Sequence, residues 1–220
     1  AEARDYCRQA LDLHRQVGDR LGEARAHNEI AILAEQQGRI AEALGHAQLA
    51  LTLYRQEGHE QGLAKMLNGV GWMHAQLGDY EQALEFCEQA LTMYRGRGDP
   101  LNEAATWDSV GYALLHLGRL DEATSCLRTA LRIINGLRTG YYETTMLVHL
   151  GDAYHAAGEV GQARQSWREA LAILEGLNHS DADLVRARLE GEGPPGVGIP
   201  EASAQAGVGG RMREDHAVGA

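Results

Sequence analysis

The sequence predicts an all-α solenoid, one elongated stack of antiparallel helix pairs, and three observations carry that expectation. Glycines recur 40 residues apart at Gly38, Gly78, Gly118 and Gly158. Alanines keep the same spacing at Ala43, Ala83, Ala123 and Ala163, as do the pairs Ala50-Leu51, Ala90-Leu91, Ala130-Leu131 and Ala170-Leu171. Phe, Tyr and Trp make up only 5% of the 220 residues while Ala, Leu and Gly abound, which suits helices in close contact and not strands. Self-similarity at such a period marks supersecondary units that cannot bury their apolar faces alone and must stack.

The chain opens, at residues 1–17, with what reads as a lone second helix of a pair. Ala3, Cys7 and Ala10 fall where Ala83, Cys87 and Ala90 fall two periods later. Four complete pairs are expected at residues 20–58, 59–98, 99–138 and 139–178. The second shows the pattern best. Leu63, Met66, Leu67, Val70 and Met73 form one stripe, and Ala83, Leu84, Cys87, Ala90, Leu91 and Tyr94 form the next, at spacings of three and four that build a helical face. Gly78-Asp79 breaks the first helix and restarts the second, and Gly98-Asp99-Pro100 ends the second with a proline placed to open a helix. A short helix at 181–190, capped by Asp181 and carrying Leu184, Val185 and Leu189 on one face, is expected to close the array, which then covers residues 1–189. From Gly191 to 220, three of the four prolines and eight glycines crowd into a stretch without periodicity, the composition of a disordered tail.

The formal charge of −11 repels a phosphate backbone, so direct nucleic-acid binding by this segment is not expected. Cys7, Cys87 and Cys126 are odd in number and show no CxxC spacing, which indicates neither a disulfide framework nor a zinc site. No apolar stretch approaches the roughly 20 residues that span a bilayer, and no cleavable leader opens the chain. The chain begins without Met and inside a repeat. A cytoplasmic segment of a longer protein is the expectation.

The repeat resembles the tetratricopeptide repeat, whose pattern reads W-x2-L-G-x2-Y, then A-x3-F, then P. Trp107, Val110, Gly111 and Leu114 carry it in the third pair, and Leu147, Leu150, Gly151, Tyr154, Ala163 and Trp167 in the fourth. The resemblance implies a right-handed superhelix, with Gly or Ala at 31, 71, 111 and 151 letting paired helices approach. Two features depart from it: the period is 40 where the family's is 34, and the closing proline is replaced by Arg55, Arg95, Asn135 and Glu175. Long periods of this kind resemble the C-terminal arrays of actinobacterial SARP/NB-ARC-type transcriptional regulators, and residues 176–189, GLNHSDADLVRARL, are similar to the way those proteins finish.

Chemistry-bearing motifs are not in evidence. Lys65 lies between Ala64 and Met66, so no phosphate-binding loop forms around it. Gly69-Val70-Gly71 lacks the third glycine of a dinucleotide fingerprint, no GxSxG occurs, and the ten histidines include no HExxH pair. The expected site is therefore a surface for a protein or peptide, without catalysis, cofactor or metal. By the resemblance, the first helix of each pair lines a concave groove. Its outward positions are Arg25, Asn28 and Ile32; Lys65, Asn68 and Trp72; Ala105, Asp108 and Tyr112; and Thr145, Val148 and Asp152. Arg25/Asn28 and Lys65/Asn68 repeat a cation-then-amide pair one period apart. An amide can pair with both donor and acceptor of an extended backbone, and a cation suits a carboxylate. Trp72 and Tyr112 add hot-spot area beside them. The functional expectation is the sensor or interaction module of a bacterial regulator, its groove taking a protein segment or an upstream domain of the same chain. Two alternatives are a receptor for a small secreted signal peptide and an assembly scaffold without regulatory output.

Overall fold

The computed structural model describes residues 2–135, 137 and 140–191. The tail expected to be disordered lies outside the described residues from 192 onward. Among those described there are ten helices: α1 Glu2–Val17, α2 Arg20–Glu35, α3 Ile40–Gln56, α4 Glu60–Leu77, α5 Tyr80–Arg97, α6 Pro100–His116, α7 Leu120–Ile134, α8 Gly140–Ala156, α9 Val160–Gly176 and α10 Ala182–Glu190.

Among the described residues, tight turns reverse the chain at 20-residue steps from 18 to 118 and again at 158 and 178, half the period read from the sequence. The residues at 18, 38, 58, 78, 98, 118 and 158 are glycines with φ between 64° and 87°, and Asn178 takes the same step at φ 52°. At Gly78 the amide donates to the Ala75 carbonyl at 3.1 Å and the next amide, of Asp79, to the His74 carbonyl at 2.9 Å. These bonds satisfy carbonyls that a helix end leaves orphaned, in a backbone conformation that a Cβ resists. Side chains of Asp19, His59 and Asp99 accept the amides of Gly22, Gly62 and Asn102 at 2.9, 3.0 and 3.2 Å, so α2, α4 and α6 are capped from in front. Pro100 stands in the first turn of α6, where its missing N–H costs nothing.

Each odd-numbered helix from α3 to α9 packs on the even-numbered one before it, and the pairs stack in order. Ala43, Ala83, Ala123 and Ala163 are fully buried, as are Ala50, Ala90, Ala130 and Ala170, because any larger group there would push helices apart. Within the pairs, volume is traded between two positions. Residues 47, 87, 127 and 167 grow from Ala through Cys and Leu to Trp, and the facing residues are Ala31, Gly71, Gly111 and Gly151. A Cβ on Gly71 would stand 2.6 Å from Cys87 Sγ, one on Gly111 2.5 Å from Leu127 Cγ, and one on Gly151 inside the Trp167 indole.

The even-numbered helices form the inner layer. All ten residues from Thr144 to Ala153 of α8 are buried, whereas α9 buries only one face. Trp72 of α4 lies 6.2 Å, ring centroid to ring centroid, from His149 of α8, two pairs further on. Contact across that interval requires the stack to curve toward this layer, which makes it the concave side.

The closing helix differs from expectation in two respects. Asp181 stands at its N-cap, but its side chain makes no capping bond and instead accepts the Tyr141 hydroxyl at 3.2 Å. Its buried face is Ala182, Val185 and Arg188, while Leu184 is exposed. Asp152 of α8 accepts the Arg188 guanidinium at 3.0 and 3.3 Å, which holds that face of the helix against the array.

Candidate functional site

The concave layer divides into an open N-terminal part and a closed C-terminal part. In α2 and α4 three of the six expected positions retain access to solvent, and Asn28, Ile32 and Trp72 do not. Arg25 is exposed, and Lys65 and Asn68 are half-buried. Burial lowers the Lys65 pKa, with Glu29 partly opposing, and the ammonium has no ion pair among the described residues. Asn28 and Ile32 are buried between the helices, and the Asn28 amide reaches the Glu29 carboxylate only at 3.5 Å. The Asn68 carbonyl oxygen accepts a long contact from the Cys87 thiol at 3.8 Å. Arg25 and Lys65 thus hold equivalent positions one period apart on α2 and α4, neither of them in an ion pair among the described residues.

From Trp72 onward the expected groove residues touch one another. Trp72 is 5% exposed; its indole N–H donates to Glu35 at 2.8 Å, to the same oxygen that accepts Gln76. Burial raises the Glu35 pKa, and these two hydrogen bonds oppose the rise. The Trp72 ring meets Tyr112 edge-on at 5.0 Å, and Tyr112 lies 5.1 Å from His149. Desolvation pushes the Tyr112 phenol up to about 12. Asp108, 1% exposed, accepts His149 Nδ1 with both oxygens at 2.9 and 3.0 Å. Burial acts to lower the His149 pKa, but the Asp108 carboxylate and its hydrogen bond, with Asp152 behind, raise it above the ordinary histidine value. Ala105, Thr145 and Val148 are enclosed, and Asp152 accepts Arg188 at 3.0 and 3.3 Å and the Trp167 indole at 3.0 Å.

The positions read as outward in α6 and α8 therefore hold the concave layer together. Curvature is the physical cause, since it draws side chains one and two pairs apart into contact. Sequence reasoning passed over Glu35, His149 and Arg188, whose partners lie 36 to 41 residues away. Scanning for opposite charges near one full period would have found two of them. Among the described residues, no group of three or more His, Cys, Asp or Glu is placed to hold a metal ion.

The family model of the tetratricopeptide repeat matches residues 1–56, 26–96 and 102–176. No curated protein matches the chain in sequence. Similar solved structures include a Rap protein complexed with competence and sporulation factor, at a TM-score of 0.73 and 17% identity, over 84% of this chain and 51% of that one. Aspartyl phosphate phosphatase F from Bacillus subtilis gives 0.71 and 13%, over 83% and 49%. BtubC (BKLC) from P. vanneervenii gives 0.61 and 21%, over 76% and 78%. The chain thus spans about half the length of the first two.

Proposed function

The chain belongs to the tetratricopeptide repeat family, and on that footing we propose that it is the polypeptide-binding module of a bacterial transcriptional or signalling regulator. Its site is the open strip of α2 and α4, which takes an extended segment from another protein or from a domain of the same protein. The observation that carries this reading is Lys65, an ammonium half withdrawn from water and without an ion pair among the described residues, beside Asn68 and one period from Arg25 and Asn28. A carboxylate on the incoming segment restores the interaction that burial takes from Lys65. The long period, similar to that of actinobacterial regulators, supports the regulatory context. Binding would then bias an upstream module between two states by its differential affinity for them.

The reading assigns no catalytic step. Burial, with Glu122 beside it, pushes the Cys126 thiol up to about 11, Cys87 is enclosed, and His149 is held by Asp108. A thiol so protonated is a poor nucleophile. No described helix is long and apolar enough to cross a membrane, and a cytoplasmic location accords with the three free thiols.

A receptor for a small secreted signal is the second reading, supported by the Rap protein of similar fold that was solved with a competence and sporulation factor. Display selection of random peptides against the chain tests both. Selected peptides are expected to protect amides of α2 and α4 from hydrogen exchange. Protection confined to α3 and α5 would move the site off the concave layer, and binders of five or six residues with full affinity favour the receptor.

A further inference from the structure

Along the convex side, formed by the outer faces of the odd-numbered helices, the repeat copies size but not charge. Positions 48, 88, 128 and 168, one period apart, hold Gln, Glu, Arg and Arg. On α5, Glu81, Glu85 and Glu88 are exposed and make no ion pair among the described residues. Its arginines, Arg95 and Arg97, are taken at the helix end by Glu103 and Glu60 at 3.1 and 3.4 Å. On α7 and α9 the sign reverses. Arg128, Arg132, Arg164 and Arg168 are exposed and equally without an ion pair among the described residues. Of the carboxylates on these two helices, Glu122 is held by Arg119 at 2.6 Å, Glu175 by Arg186 at 2.7 Å and Glu169 by Gln165 at 3.0 Å, which leaves Asp121 to oppose the four arginines.

Each stripe works against itself. Glu81 and Glu85, Arg128 and Arg132, and Arg164 and Arg168 are like charges four residues apart on one helix face, a spacing at which they repel and weaken the helix. The two stripes stand side by side on one face of the molecule, each with the charge that would relieve the other. Odd-numbered helices run parallel, so equal repeat positions stand at equal heights along them. A two-fold axis parallel to these helices keeps heights and exchanges sides. With that axis beside α7, α5 of one copy lies as a ridge along the groove between α7 and α9 of the other, and the reverse contact follows by symmetry. Glu88 is then level with Arg128 and Arg168, and Glu81 and Glu85 lie on either side of the level of Arg164.

We infer that the convex side is an interface for a second copy of this chain, in which the glutamates of α5 in each copy seat among the arginines of α7 and α9 in the other. The complementarity fixes the partner, because acidic ridge and basic groove share one face and one period. Net charge does not forbid it. Each copy carries −11, but at 0.15 M salt charges further apart than about 8 Å are largely screened, whereas groups in contact across the interface are not. Such pairs set register and orientation. The surface is independent of the concave strip, and substitutions at Lys65 and Asn68 leave it intact.

Sedimentation of the whole chain at 0.15 M salt over a wide concentration range tests this. Wild type is expected to show a reversible monomer–dimer equilibrium. Glu85→Arg/Glu88→Arg puts cations on both sides of the contact and Arg128→Glu/Arg168→Glu puts carboxylates on both, so each variant alone is expected to dimerise at least tenfold more weakly. An equimolar mixture of the two restores opposite charges at both contacts and is expected to form a heterodimer about as tight as the wild-type dimer. Circular dichroism checks that each variant is folded, and where a double variant is not, Glu88→Arg and Arg128→Glu replace the pair. A wild type that stays monomeric throughout leaves the face to some other partner and overturns the assignment. So would reversed variants that dimerise as tightly as wild type, or a mixture that stays monomeric.

Discussion

His149 and His27 are both enclosed in the fold, and opposite surroundings give them opposite responses to pH. His149 is raised by Asp108, so the native state holds its proton more tightly than the unfolded chain does. Its contribution is complete below the ordinary histidine value of 6.5 and is lost as pH rises through the elevated native value. Asp108→Asn breaks a buried pair and is expected to cost roughly 3 kcal/mol at neutral pH. In that variant, urea melts between pH 7 and 9 should no longer show the alkaline loss of the wild type. His27 runs the other way. Desolvation first, then His46 and Arg15, lower it to about 4, so the unfolded chain binds the extra proton between about 6.5 and 4 and stability falls as pH falls through that window. The drop amounts to about 3 kcal/mol. In His27→Gln, melts at pH 7 and pH 4.5 should lie closer together than in wild type, and an unchanged separation would contradict the assignment.

At the level of the helix, glycines differ in what surrounds the place of an added Cβ. Gly45 sits mid-helix in α3 with nothing within 4 Å of an added Cβ, so Gly45→Ala should stabilise by about 0.5–1 kcal/mol. A Cβ added at Gly71 would stand 2.6 Å from Cys87 Sγ and 3.0 Å from the Ala83 carbonyl oxygen, and Gly71→Ala should cost about 2 kcal/mol because backbone cannot give way. Thermal melts of the two variants should move in opposite directions. Small residues at 40-residue intervals were legible because close approach admits few alternatives, and repetition made the pattern stand out. Proline at 100 and the glycine turns were legible for the same reason. The inner-layer contacts were not. Asp108 and Asp152 look like solvated carboxylates on an outward face until curvature is known, and curvature arises from the sum of all pair-to-pair contacts and not from any local motif. Asp181 reads as a cap by type, yet its side chain makes no capping bond and accepts the Tyr141 hydroxyl.

Across the whole molecule, stability in a stack is a sum of units and their interfaces, so damage at one end stays near that end. Arg188 closes the array through Asp152, with the two side chains 5% and 4% exposed. Among the described residues, Arg188→Ala leaves that carboxylate with the Trp167 N–H as its one side-chain donor, and faster hydrogen exchange is expected in α8, α9 and α10, with α2 to α5 unchanged. Loss of protection along the entire stack would show that the units are coupled more strongly than nearest-neighbour contacts allow. On the proposed reading the closed part of the concave layer, from Trp72 to Arg188, holds the layer together, and the open part takes the partner at Arg25, Lys65 and Asn68. With a net charge of −11 the molecule as a whole repels acidic partners, so on the proposed reading a carboxylate is recognised locally, by Lys65 and Arg25. The most direct measurement is the affinity, by titration calorimetry, of a display-selected peptide for wild type and for Lys65→Ala/Asn68→Ala. A loss of at least tenfold with unchanged helicity and melting temperature is expected, and equal affinities would contradict binding at the concave strip.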